Sequence, residues 1–184
     1  MPDLREQLRQ CFQGRVCLMG LGNVDFGDDG FGIHLAEKLE GAGLPDVIIT
    51  GTMPERFLGS VTDGGYDYLL FLDAVEFGGA SGSVILLNAE EMAARFPQVS
   101  THKISLGLLA KWVEDNGRTK VRLLGVQPGS LKAAGGLTPA VQTTLEVLAT
   151  ILCDLWNTKK ERVDRTDLHN GCPDAEASNT EVNV

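Results

Sequence analysis

The sequence predicts an α/β protein: a mostly parallel, twisted central sheet with helices on both faces. Three observations carry this. Short apolar, β-branched runs alternate along the chain with segments of helical periodicity. The run Tyr66–Asp73 has an unbroken apolar core at Leu69 to Leu72, as expected of an interior strand covered on both sides. The run Val16 to Gly20 passes through a turn rich in glycine, Gly20-Leu21-Gly22-Asn23-Val24-Asp25-Phe26-Gly27-Asp28-Asp29-Gly30, into an amphipathic segment that starts near Gly30.

The elements follow in order. A short helix covers Asp3 to Phe12, and a strand runs Arg15–Gly20. Phe31, Leu35 and Leu39 lie at i, i+4 and i+8, which places them on one face of a helix over 31–39. Asp46–Gly51 is a β-branched strand, Tyr66–Asp73 the interior strand, and Ser83–Leu87 a further strand entered through the turn-rich Gly78-Gly79-Ala80-Ser81-Gly82. A helix over Ala89–Arg95 stops before Pro97. Thr101 caps the next helix, whose buried stripe is expected to be Ile104, Leu108 and Trp112 with Leu109 beside it. Lys120–Val126 is the last strand. Thr138 as N-cap and Pro139 at the first helical position open the final helix, with Val141, Leu145, Leu148 and Leu152 on its apolar face.

Composition bounds the possibilities. At 184 residues the chain is long enough to bury roughly two thirds of its unfolded surface. Its 43% hydrophobic content is that of a folded globular protein, so disorder is not the default. With 16 basic and 25 acidic residues its net charge is −9, which argues against a nucleic-acid partner and against an anionic membrane surface. The first 13 residues are polar and lack the apolar stretch of a signal peptide, and no segment approaches the roughly 20 apolar residues of a membrane span. Cys11, Cys17, Cys153 and Cys172 are scattered without a CxxC pair, a pattern that suits a reducing cytoplasm. After Asn157 large apolar residues nearly vanish. Residues 158–184 are therefore expected to form a mobile polar tail behind a single α/β domain over 1–157.

The glycine-rich turn also carries the candidate chemistry. In an open α/β sheet, ligands bind in the crevice beyond the carboxyl ends of the strands. Asp28 and Asp29 arrive there together. One of the pair, Asp28 by preference, suffices to cap the following helix, which leaves Asp29 free to face the crevice. Asp73 ends the interior strand at the same mouth, where a carboxylate serves as often to form a turn as to carry function. Of the three histidines, His169 falls in the expected tail. His34 follows Asp29 by five residues, about 140° round the helix, and faces away from it. His102 starts a helix within reach of the sheet mouth, where an ordinary first-turn histidine is the plainer reading. Asp29, Asp73 and His102 together form an oxygen and nitrogen donor set suited to a divalent transition metal, with open positions for water or substrate. A nucleotide site is disfavoured, since Asp25 stands where GxGxxG needs its third glycine. The chain has no Walker lysine, GxSxG elbow or HExxH helix.

Several blocks in order resemble the hydrogenase maturation endopeptidases, which process the large subunit of nickel–iron hydrogenases. They are Gly20-Leu21-Gly22-Asn23 with Gly27-Asp28-Asp29-Gly30-Phe31-Gly32, Leu72-Asp73-Ala74-Val75, Ser100-Thr101-His102, Gly125-Val126-Gln127-Pro128 and Gly136-Leu137-Thr138-Pro139. The likeness spans about Arg15 to Leu155. It implies a three-layer α/β/α sandwich and a metal-dependent, aspartic-type endopeptidase. Its metal and catalytic residues map onto Asp29, Asp73 and His102, with Asp28 holding the loop or assisting proton transfer. It also implies the partner, a nickel-loaded large-subunit precursor that loses a C-terminal extension. The nickel is presented by the substrate, and other divalent metals suit the same donors. The alternative in a different class is a non-catalytic, metal-dependent checkpoint or chaperone that binds the large subunit.

Overall fold

The computed structural model describes residues 3–96 and 105–169, with 163–169 as backbone alone. Within them the elements are α1 (Leu4–Cys11), β1 (Val16–Leu21), a 3-10 turn (Gly27–Gly30), α2 (Phe31–Gly41), β2 (Val47–Gly51) and a second 3-10 turn (Pro54–Arg56). There follow α3 (Leu58–Asp63), β3 (Tyr68–Ala74), β4 (Val84–Asn88), α4 (Ala89–Arg95), α5 (Leu106–Asn116), β5 (Lys120–Val126) and α6 (Pro139–His169). The strands lie in the order β2-β1-β3-β5-β4. β2, β1, β3 and β5 run parallel, and β4 pairs antiparallel to β5 at the edge.

Side chains alternate between the two faces of a strand, and this alternation builds two cores. Val16 and Leu18 of β1, Leu70 and Leu72 of β3, and Leu124 and Val126 of β5 pack against α1, α2 and α6. The intervening residues, Cys17, Met19, Leu21, Leu69, Phe71, Val121 and Leu123, pack against α3, α4 and α5. The result is the expected mostly parallel sheet sandwiched between two helical layers. Burial pushes the Cys17 thiol up to about 12, a structural cysteine rather than a reactive one. Local caps agree with the fold: Asp3 accepts from Glu6 N at 2.8 Å, and Asn88 and Glu91 form a reciprocal capping box at the start of α4.

The close approach of α2 to the sheet is made by absent side chains. A Cβ on Gly20 would stand 2.6 Å from Ala36 Cβ and from the Gly32 carbonyl oxygen. A Cβ on Gly32 would collide with the carbonyl oxygens of Leu72 and Leu21. The start of α2 therefore sits directly on the ends of β1 and β3. As expected, Phe31, Leu35 and Leu39 face the core.

The structure departs from the sequence reading at three points. The stripe on α5 is Leu106, Leu109, Ala110 and Val113, while Leu108 is 62% and Trp112 44% exposed. Gly107 decides this register, because a Cβ there would lie 2.6 Å from Ala93 Cα, so α5 presses onto α4 along that face. Thr101 and Ile104 lie outside the described residues, as do Cys172 and residues 170–184. Second, α6 does not stop near Asn157 but continues to His169. Its polar extension has strong helix formers and local ties rather than apolar burial. Thr158 Oγ1 donates to Asp154 O, and Lys159 donates to Gly14 O at 2.8 Å and lies 5.3 Å from the Trp156 ring. Third, α3 and both 3-10 turns carry too short a pattern to be read from sequence. No described helix is long and apolar enough to cross a membrane.

The contact at Gly32 makes a direct prediction. Gly32→Ala should lower stability by about 2–3 kcal/mol through overpacking against backbone. Gly41→Ala, with nothing within 4 Å of the new Cβ, should be neutral or stabilising by up to about 1 kcal/mol. Urea titrations of the two variants beside the wild type check the pair.

Candidate active site

The turn after β1 is held by its own backbone. Gly22, at φ 114°, turns the chain in a region that favours glycine, and its amide donates to Gly51 O at the end of β2. Asn23 N donates to Asp29 O at 3.2 Å, and Asp25 N donates to the Asn23 side chain at 3.0 Å, an Asx turn. A Cβ on Gly22 would collide with the Asp29 carbonyl oxygen and lie 3.8 Å from Asp73 Oδ1. Residue 29 and the Asp73 carboxylate thus flank the same glycine at the carboxyl ends of β1 and β3.

Asp73 pairs with Gly125 across β3 and β5 and is 1% exposed. Its Oδ1 accepts from Ala74 N at 2.9 Å. Asp29 is 2% exposed in the 3-10 turn. Two carboxylates so withdrawn from water at the mouth of a parallel sheet are a costly arrangement unless polar partners serve them, which makes the place a candidate site. The third expected residue, His102, lies outside the described residues. His34 pairs with Glu37 at 3.2 Å and lies on the flank of α2, in keeping with its expected surface role. His169 is the last residue of α6. Among the described residues no three His, Cys, Asp or Glu side chains gather into a group that could hold a metal.

Asp28 is not the helix cap that its position suggests. The helix start has no side-chain cap, and Asp28 instead reaches across the molecule. Its Oδ2 accepts from Gly129 N at 2.7 Å, Ser130 N at 2.9 Å and Thr138 Oγ1 at 2.9 Å. Its Oδ1 accepts from Thr138 N at 2.6 Å. Burial pushes the carboxyl upward, but the hydrogen bonds from Thr138, Gly129 and Ser130 outweigh it and hold it below the ordinary range. A carboxylate so satisfied stays ionised and suits loop holding, not proton transfer.

Gln127 is a residue that sequence reasoning passed over. Its side-chain oxygen accepts from the amides of Phe77, Gly78 and Gly79 at 2.9, 3.0 and 3.1 Å. The loop that follows Asp73 is therefore wrapped around the end of β5. The only signal was its place in the block Gly125-Val126-Gln127-Pro128 directly after the last strand.

Comparison with known proteins agrees with the fold. The profile described as hydrogenase maturation protease matches residues 33–155. Hydrogenase 2 maturation protease of Escherichia coli K12 is 31% identical over 164 residues, covering 84% of this chain and 99% of that protein. Hydrogenase 3 maturation protease of the same organism is 31% identical over 134 residues, covering 71% and 84%. Among solved structures, the [NiFe] hydrogenase maturation protease HycI from Thermococcus kodakarensis KOD1 superposes with a TM-score of 0.73 at 30% identity, covering 82% of this chain and 99% of that one. The fold and these likenesses define a protease of α/β architecture. The chain belongs to the hydrogenase maturation protease family.

The Asp28 clamp can be tested through stability. Asp28→Asn puts an amide N–H against donors and should cost about 2–3 kcal/mol at pH 7. The Asp28 carboxyl titrates lower when folded than when unfolded. Its contribution is therefore complete above the unfolded value near 3.9 and fades as pH falls through the folded value. The gap between wild type and Asp28→Asn in urea titrations should accordingly narrow below about pH 4.

Proposed function

We propose that this protein is the endopeptidase that removes a C-terminal extension from the nickel-loaded precursor of a nickel–iron hydrogenase large subunit. The observation that carries this reading is the pair of buried aspartates, Asp29 and Asp73, which meet at Gly22 through the main-chain carbonyl of the first and the carboxylate of the second, in a chain of this protease family. The reading is of a metal-dependent, aspartic-type enzyme that works in the cytoplasm. Free Cys11, Cys17 and Cys153 are in keeping with a reducing compartment.

In this reading Asp29, Asp73 and His102 meet the nickel that the substrate carries. Two carboxylates and an imidazole suit a divalent transition ion, and a cation opposite two buried anionic groups offsets their desolvation. Nickel held on the substrate supplies Lewis acidity near the scissile carbonyl. The chain's own part is positional. The turn at Gly22 and the end of β3 bring Asp29 and Asp73 to the strand ends, while Asp28 and Gln127 fix the loops beside them. Hydrolysis breaks the peptide C–N bond, joins a water oxygen to the carbonyl carbon and leaves the water's proton on the departing amine.

The test is processing of nickel-loaded precursor followed by intact mass. Wild type should release the extension, and nickel-free precursor should stay uncut. Asp73→Asn and Asp29→Asn should each slow the cut by at least about 100-fold while melting as folded proteins. Undiminished processing by Asp73→Asn would reject the residue assignment. A stable complex with wild type and no change of mass would point to a checkpoint protein instead.

A further inference from the structure

α5 carries two apolar stripes, and only one of them is used. Leu106, Leu109, Ala110 and Val113 face the core, while Leu108 and Trp112, one helical turn apart, stand 62% and 44% exposed. They are not isolated surface residues. Together with Leu58 and Leu109 they line a groove of about 510 Å³ between α3 and α5, bordered by Glu55, Lys111 and Asp115.

The direction of α5 aims this groove at the candidate active site. Glu114 accepts from Val121 N at 2.8 Å, which puts the end of α5 beside the start of β5. The beginning of α5, with Leu108, therefore lies toward the end of β5 where the parallel strands stop. Glu55 belongs to the 3-10 turn just after β2, at that same end. The groove thus opens beside the strand ends at Glu55 and Leu108 and descends past Trp112 to Asp115, about two helical turns of α5.

Its charges say what would fill it. One carboxylate stands at each end, with the cation of Lys111 on the border one turn before Asp115, and neither Glu55 nor Asp115 is in an ion pair with a described residue, so the groove's lining is net acidic. Such a groove matches a segment with apolar side chains in the middle and a basic residue at each end, the helix-in-groove mode of recognition. The chain's own net charge of −9 favours a basic partner further.

We propose that the α3–α5 groove docks an amphipathic helical segment of the protein substrate, apolar at its centre and basic at its ends, and so holds the precursor while its C-terminal extension lies at the strand ends. This rests on the proteolytic reading given above. Binding energy gathered at this distance from the cut would appear in KM rather than in kcat.

The experiment compares wild type, the double variant Leu108→Ala/Trp112→Ala and the charge variant Glu55→Lys/Asp115→Lys on nickel-loaded precursor. Because Leu108 and Trp112 lie off the buried stripe, the double variant should melt within a few degrees of wild type. It should raise KM roughly 30-fold or more with kcat within about two-fold, since aromatic anchors dominate such contacts. The charge variant should raise KM less, and its deficit should shrink in high salt. Trp112→Phe should restore most of the affinity. An unchanged KM for both variants, with wild type cutting normally, overturns the groove and leaves the protease reading intact. If wild type binds precursor without cutting it, the protease reading fails. The groove then stands if the double variant loses that binding and falls if it does not. Self-association that the double variant abolishes, with KM unmoved, assigns the groove to a second copy and overturns the proposal.

Discussion

Four hydrogen bonds onto the carboxylate of Asp28 tie the first crossover of the sheet to the loop that leaves its last strand, across separations of 101, 102 and 110 residues. The charge is fully buried and has no cation beside it among the described residues. Backbone dipoles and one hydroxyl carry the whole of its stabilisation, which is why the carboxyl stays ionised in spite of its burial. The loop before α6 would otherwise have little to fix it, since it has no regular structure of its own. Asp28 N also donates to Ser130 O at 2.9 Å, so the two segments are joined in both directions. Asp29, the next residue, donates its amide to Phe26 O and accepts from Asn23 N, within the turn that this clamp anchors.

The crevice beside it is made by what the chain leaves out. Glycines at 20, 22 and 32 let the turn, the helix start and the strand ends meet at backbone distance, and any side chain at these points would strike another main-chain group or Ala36. A carboxylate beside such a junction meets polar carbonyls and amides rather than apolar walls, and buried Asp73 and Asp29 are placed there. Gln127 completes the arrangement from the next strand over. Its oxygen serves three consecutive amides of the loop after β3, which gives that loop a shape without needing a helix or strand.

Much of the fold was legible in the sequence because strands buried on two faces leave a continuous apolar run, as Leu69 to Leu72 does, and because Phe31, Leu35 and Leu39 repeat with a single helical period. Where legibility failed, two patterns competed. α5 carries Leu108 and Trp112 as well as Leu106, Leu109 and Val113, and only the contact of Gly107 with Ala93 decides which set turns inward. That contact lies 14 residues away in the chain and leaves no local trace. The same holds for Asp28. Its local context reads as a cap, while its partners stand more than a hundred residues on. The aspartates at the strand ends were legible as residue types, and the Asp28 clamp beside them was not. The end of α6 was misread for a different reason, since the composition after Asn157 lacks apolar residues but keeps helix formers such as Lys159, Lys160 and Glu161.

The length of α6 has a geometric consequence. It starts at the Asp28 clamp, passes Gly14 at the opposite end of β1 through Lys159, and runs on to His169. Its 31 residues span about 46 Å, roughly twice the rise of the seven-residue β5. The helix is thus a spacer that overhangs the sheet on the side away from the crevice.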